Sequence, residues 1–345
     1  MKLSGDPVNI GLPRTPRVQG DACKRRFCPP SQEIVTALST PYNRAHHAAA
    51  VVLAFCTFVL IVAGALVTSH DAGLSVPDWP TSFGSLYKIP PMVGGVMFEH
   101  GHRMIAQFIG LLTIIVAVWT QKVDQRPWMR SLGWTALGTV IAQGILGGIT
   151  VLFYLPPAVS TAHATLAQTF FCIVVAIAMF TSRGWVESAP ATVSQDERPT
   201  LITLTTLSVL AVYVQLILGA AFRHNGMKIL WHLCTAAVVT FILLWTVVRV
   251  LSHYSHVVRL RRTALFMMVL LMTQLALGFA AYLTRVEWSK DAPQPLISMV
   301  ASTVSHVAVG ALVLATSVVL AIQTRRHVTV SNEETLTTTR KAVPA

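Results

Sequence analysis

The sequence predicts an all-α, polytopic membrane protein whose eight transmembrane helices form two pseudo-symmetric four-helix bundles. Three observations lead there. Of 345 residues, 53% are hydrophobic and 12% charged, and the mean hydropathy is +0.60, well outside the range of soluble domains. Eight apolar runs are each long enough to cross a bilayer as a helix: roughly 46–69, 104–121, 131–153, 160–181, 201–222, 229–250, 263–283 and 299–322. A motif also repeats in the odd-numbered runs from the third onward, as Gln143–Gly147, Gln215–Gly219 and Gln274–Gly278, each followed by a loop and a helix that carries a histidine near its start.

Residues 1–44, rich in Pro and Arg and without a long apolar run, read as a disordered cytoplasmic tail. Its Cys23 and Cys28 have no second pair nearby, and Cys56, Cys172 and Cys234 fall in apolar runs, so the cysteines are expected to be reduced. Residues 45–182 form an N-terminal four-helix bundle, 183–199 a cytoplasmic linker, 200–323 a C-terminal four-helix bundle and 324–345 a second cytoplasmic tail. Each half has an even number of helices, so the halves run in the same direction, related by an axis along the membrane normal.

The formal charge of +12 raises nucleic acid as a partner, but the positions of the bases exclude it. The two tails and the joins near residues 120–130, 182–200 and 249–262 hold 20 of the 26 Lys and Arg residues. Basic flanks stay on the cytoplasmic side. Both termini are therefore expected in the cytoplasm of a cell whose plasma (inner) membrane the chain spans, with the histidine-bearing helix starts at the outer face.

Between the first two runs lies the longest outer loop, residues 70 to about 99, with Pro77, Asp78, Trp79 and Pro80. Aromatic and turn residues of this kind suit a structured lid, or an ordinary interfacial loop anchored by Trp79. The loop ends in Glu99-His100-Gly101-His102-Arg103. Comparable joints recur at His163, His232 and His306. With 12 histidines in the chain, all four joints would hold one by chance only about once in 250.

A neutral imidazole is a good iron ligand, and two facing histidines at one depth on neighbouring helices make a bis-imidazole haem site. His102 accordingly pairs with His163, and His232 with His306. Haem propionates favour a basic, water-facing edge, where Arg103, Arg223, Lys228 and Arg285 lie; propionate contact and snorkelling to the interface are the alternatives for each. The halves differ chemically. Glu99 stands one helical turn before His102, whereas no acid precedes His232. A carboxylate beside a bound porphyrin can take a proton or stabilise a developing cation; its plain alternative is an N-terminal helix acid favoured by the dipole.

These residues resemble the haem A synthases of bacteria and mitochondria. The resemblance rests on Ala72-Gly73-Leu74-Ser75, Asp78-Trp79, Glu99-x-x-His102-Arg103, Gln143 to Gly147, His163-Ala164-x-Leu166-Ala167, Trp231-His232-Leu233 and Ser305-His306-x-x-x-Gly310, and spans about residues 45–323. It implies an enzyme that oxidises the C8 methyl of haem O to the formyl of haem A by successive hydroxylations. By motif, His232 and His306 would ligate a resident haem b, and His102 and His163 would line or ligate the haem O site. Glu99 would be the catalytic acid, with Arg103 a contact for a propionate. Receipt of haem O from a haem O synthase and delivery of haem A to a terminal oxidase are also implied; homo-oligomerisation stays open.

The chain departs from the family pattern in two places. It has no cysteine between residues 57 and 171, so the loop cysteine pair of many bacterial members is absent. The basic residue near the end of the first helix is missing too, and His70 stands beside its place. The rival readings are a dihaem cytochrome b that only moves electrons, which needs no Glu99, and a parallel-repeat transporter with a histidine proton relay, which needs no haem.

Overall fold

The computed structural model describes residues 41–190, 192–195, 197–288 and 295–330. The expectations for Cys23, Cys28 and most of both tails lie outside these residues. Among the described residues, eight helices are long and apolar enough to cross a membrane. They are α1 (Arg44–Ser69), α2 (Gly95–Val123), α3 (Pro127–Leu152), α4 (Pro157–Thr181), α5 (Leu201–Arg223), α6 (Ile229–His253), α7 (Val258–Tyr282) and α8 (Ile297–His327). The chain is a multi-pass helical membrane protein.

Local chemistry sets the helix starts. The Asn43 side chain accepts a hydrogen bond from the His46 amide at 3.0 Å to cap α1, and the Thr200 hydroxyl accepts from the Thr203 amide at 3.1 Å to cap α5. Pro127 and Pro157 open α3 and α4, where a missing N–H costs nothing. Helix α2 begins nine residues before the apolar run at 104, so Glu99 lies beyond the first turn, which holds no acid. A dipole role at the N-terminus does not describe it.

In the first half, α1 packs on α2 and α4, and α3 packs on the same two helices. In the second half, α5 and α7 each pack on α6 and α8. Helix α8 also packs on α1 and α4. Its Ala311 and Ala315 join the core of α1 to α4, while its Val313, Leu314 and Leu320 join the core of α5 to α8. Small residues on one stripe and branched ones on another let a single helix serve both sides.

Two features have no counterpart in the apolar pattern. Helix α7 continues through a π-helical turn at Leu283–Glu287. Strand β1 (Val193–Gln195) pairs in parallel with β2 (Val328–Val330), Val193 opposite Val328, which joins the α4–α5 connection to the end of α8. Arg326 reinforces this end, donating to the carbonyls of Trp185 and Ser188 at 2.8 and 2.5 Å and lying 4.0 Å over the Trp185 ring.

Candidate active site

The site is built from one contact made four times. On each odd-numbered helix a glycine presents bare backbone to the imidazole of the next helix. A Cβ added at Gly64 or Gly147 would stand 3.1 Å from Cε1 of His102 or His163, and one added at Gly219 or Gly278 would stand 2.9 Å from Cε1 of His232 or His306. The glycine of the repeat thus admits a neighbouring helix's histidine. A side chain there would push the ring off its position.

The residue one turn before each glycine turns its backbone carbonyl to the same ring: Leu60 to His102, Gln143 to His163, Gln215 to His232 and Gln274 to His306. The approach is 3.2 Å from Nδ1 of His232; Nδ1 of His102, His163 and His306 is buried without a completed hydrogen bond. The glutamine amides complete the pattern, with Nε2 of Gln143, Gln215 and Gln274 each 3.4 Å from the ring Nε2 of its histidine. Gln143 and Gln215 also donate to the backbone carbonyls of His163 and His232, both at 2.9 Å.

These residues fit a haem. Metal-bound histidines commonly direct the second ring nitrogen at a carbonyl or carboxylate, as Nδ1 is directed here; for a metal to bind Nε2 of His163, His232 or His306 the glutamine amide would withdraw from it. In the second half, the ring centres of His232 and His306 are 6.3 Å apart, with their planes at 84°. Two metal–imidazole bonds of about 2 Å, plus ~1.1 Å from each nitrogen to its ring centre, give about 6.2 Å for a collinear pair. In the first half His102 and His163 lie near enough to interact electrostatically.

Glu99 sits at the rim of the first half, only 4% exposed. One carboxylate oxygen accepts the Val76 amide at 2.8 Å and the other accepts Arg103 Nη2 at 2.6 Å. Arg103 in turn donates to three loop carbonyls, those of Asp78 (2.6 Å), Thr81 (3.0 Å) and Val76 (3.1 Å). The outer loop is therefore clamped to α2, and its buried Ala72 and Val76 pack beneath it. Trp79 lies directly against Gly148 of α3, and Leu155 touches Gly73. The loop is thereby held against α2 and α3, with Trp79 packed on α3.

Within the loop the Asp78 carboxylate accepts from the Thr81 hydroxyl and from the amides of Phe83 and Gly84 at 2.7 and 2.8 Å. Burial works against ionisation there, but these hydrogen bonds outweigh it and hold the carboxyl down to about 2. His70 stacks on Phe98, ring centres 3.8 Å apart, with Nδ1 2.9 Å from the Leu66 carbonyl.

Residues 95–229, which carry Glu99, His102, Arg103 and His163, match the family described as cytochrome oxidase assembly protein. A heme A synthase of Symbiobacterium thermophilum is 31% identical over 258 residues, covering 64% of this chain and 81% of that relative. The chain belongs to the haem A synthase family. Another family member, from Halalkalibacterium halodurans, is 24% identical over 252 residues, 66% of this chain and 83% of the relative. A third, from Shouchella clausii, is 27% identical over 181 residues, 51% of this chain and 58% of the relative.

The structure also shows contacts that the sequence motifs did not announce, one of them made by a candidate propionate residue. Arg223, at the end of α5, reaches across to α1 and donates to the Ala65 carbonyl and the Ser69 hydroxyl at 2.8 and 2.7 Å. His224 beside it is half-buried; burial, helped by Arg223 and His163, lowers its basicity to a value of about 4. Gly64 escaped the repeat because Leu60 stands where the other helices have glutamine. Its spacing to His102 matches no motif in the first helix.

Proposed function

We propose that the chain oxidises the C8 methyl of haem O to the formyl of haem A by successive hydroxylations, for the assembly of a terminal oxidase. The observation that carries this reading is the unequal pair of histidine sites: a rim carboxylate, Glu99, beside His102 under a clamped loop in the first half, and a bis-imidazole pair without an acid in the second. His102 and His163 bind the substrate haem O, whose propionates face the outer end; Nε of Arg103, which lies outside the loop clamp, is the donor offered to one of them. His232 and His306 hold a resident haem b, which supplies one-electron chemistry when bound. The two four-helix halves are pseudo-symmetric in this reading, the tails face the cytoplasm, and the membrane is the plasma membrane.

Within that frame each residue has a physical task. The lid excludes water from the outer end of the substrate half, which strengthens every charge interaction inside. Val76 and Arg103 fix both oxygens of Glu99, so the carboxylate is oriented before substrate arrives. Conversion of a methyl to a formyl removes four electrons overall, by two hydroxylations and loss of water from the gem-diol; the haem that His232 and His306 would hold would pass the electrons on, and the protons released need an acceptor. Glu99 Oε takes and returns those protons. A haem O synthase is the expected donor of substrate and a terminal oxidase the expected recipient of product.

The test is chromatography and mass analysis of haems extracted from protein purified from cells that contain a haem O synthase. Haem B together with haem O, a hydroxylated intermediate or haem A is the expected result. Haem B alone, with no conversion of supplied haem O, would make the chain an electron-carrying cytochrome.

A further inference from the structure

One turn beyond each glycine that admits a histidine stand Thr68 after Gly64, Val151 after Gly147, Arg223 after Gly219 and Tyr282 after Gly278. Of these four helices only α5 carries a cation there, and it reaches into the other half. Nη2 of Arg223 donates to the carbonyl of Ala65, the neighbour of Gly64, at 2.8 Å and to the Ser69 hydroxyl at 2.7 Å. The buried Ser69 lies 3.3 Å from the Thr303 hydroxyl, whose own proton goes to the Met299 carbonyl at 2.6 Å. The donors therefore run from Arg223 through Ser69 to Thr303, which stands one turn before His306. One guanidinium ties the backbone that seats His102 to the helices that bear Gly219 and His306.

The two halves also differ in how their cations are balanced. The guanidinium whose charge reaches His102 is Arg103, paired with Glu99 at 2.6 Å. The one whose charge reaches His306 is Arg223, and its bonds go to neutral oxygens. Arg285 lies close enough to Arg223 for the two charges to repel, and it donates toward the Met299 sulfur at 4.0 Å. Among the described residues no carboxylate stands within ion-pair distance of Arg223 or Arg285; Asp71, an acid whose charge reaches Arg223, is exposed. We propose that the unpaired charge of Arg223 raises the reduction potential of the haem that His232 and His306 hold in the functional reading, on which this inference rests. Reduction of a ferric haem adds one negative charge, so a nearby unpaired cation favours the reduced form. The first half, where Glu99 cancels Arg103, lacks this bias. The field across the seam favours an electron on the His232 and His306 side over the His102 and His163 side. Arg223 is a positioning residue in this scheme.

The experiment is a spectroelectrochemical titration of haem B in the full-length protein in lipid nanodiscs. A unit charge acting over roughly 10 Å at an effective dielectric constant of about 20 alters a one-electron equilibrium by about tenfold, or ~59 mV. Arg223→Gln should lower the midpoint potential by that amount, whereas Arg223→Lys, which keeps the charge without the forked donor, should stay near wild type. Ser69→Asp tests the charge without removing the arginine: its carboxylate pairs with the guanidinium, and the potential should fall as in Arg223→Gln. Should Arg223→Gln lose its haem, Ser69→Asp decides. An unchanged potential in haem-loaded Arg223→Gln or Ser69→Asp would overturn the proposal. Equal falls in Arg223→Gln and Arg223→Lys would overturn it too, because the bonding rather than the charge would then be the cause. Wild-type protein purified without haem B would overturn the functional reading itself, and with it this role for Arg223.

Discussion

Glu99 and Arg103, one turn apart on α2, form a buried salt bridge, Oε1 to Nη2 at 2.6 Å, and the same guanidinium holds three carbonyls of the outer loop. The Glu99 carboxylate and the loop are thus one mechanical unit. A change in either residue is transmitted to the other.

Glu99→Gln keeps an acceptor for the Val76 amide and nearly the same volume, but loses the ability to accept a proton. Bound haem should persist in this variant while formyl formation is abolished, as read by chromatography of extracted haems. Unchanged haem A production would remove Glu99 from the mechanism.

Arg103→Met takes away the clamp and leaves Glu99 as an uncompensated buried charge, a loss of about 3–5 kcal/mol for pairs of this kind. Limited proteolysis should then cut within residues 76–93 faster than in the wild type. A loop as resistant as wild type would show that Trp79 on Gly148 and the buried Val76 suffice to hold it.

His306→Met exchanges one nitrogen of the proposed resident site for a thioether. The low-spin absorption spectrum should change and the reduction potential of the resident haem should rise. An unaltered spectrum would discredit the His232–His306 pairing, whatever the activity.

Gly219→Ala places a methyl 2.9 Å from Cε1 of His232, closer than carbon atoms tolerate, and forces the ring or the helix to move at about 1–3 kcal/mol. Resident haem occupancy should fall. Gly138→Ala, on the same kind of helix but with nothing within 4 Å of its added methyl, is the control and should bind haem normally.

Asp78 gives the lid a pH dependence with a definite sign. Its carboxyl is depressed from 3.8 to about 2 in the folded protein, so its stabilising effect is complete above about pH 4 and is lost as pH falls toward 2. Amide exchange at Phe83 and Gly84, corrected for intrinsic rates, should accelerate over that window, and Asp78→Asn should flatten the response.

Most of the topology was legible because crossing a bilayer is a property of local composition. About twenty apolar residues in a row have one low-energy conformation in lipid, so eight runs meant eight helices. The four histidines were legible for a related reason: polar residues near the ends of apolar helices are costly enough to stand out. What those histidines touch was not legible, because each contact joins two helices. Gln143, Gln215 and Gln274 announced three of the glycine contacts; Leu60 concealed the fourth, which only packing reveals.

The sequence alone determined eight membrane helices, the four candidate imidazoles and the single acid that makes the halves unequal. The tertiary structure alone decided that Arg103 is spent on the loop, that Trp79 seats on α3, that α8 serves both cores and that β1 pairs with β2. The reason is physical. Arg103 and Arg326 bond mainly to backbone carbonyls, which every residue carries, so residue identity at Val76, Thr81 or Ser188 holds no trace of the contact.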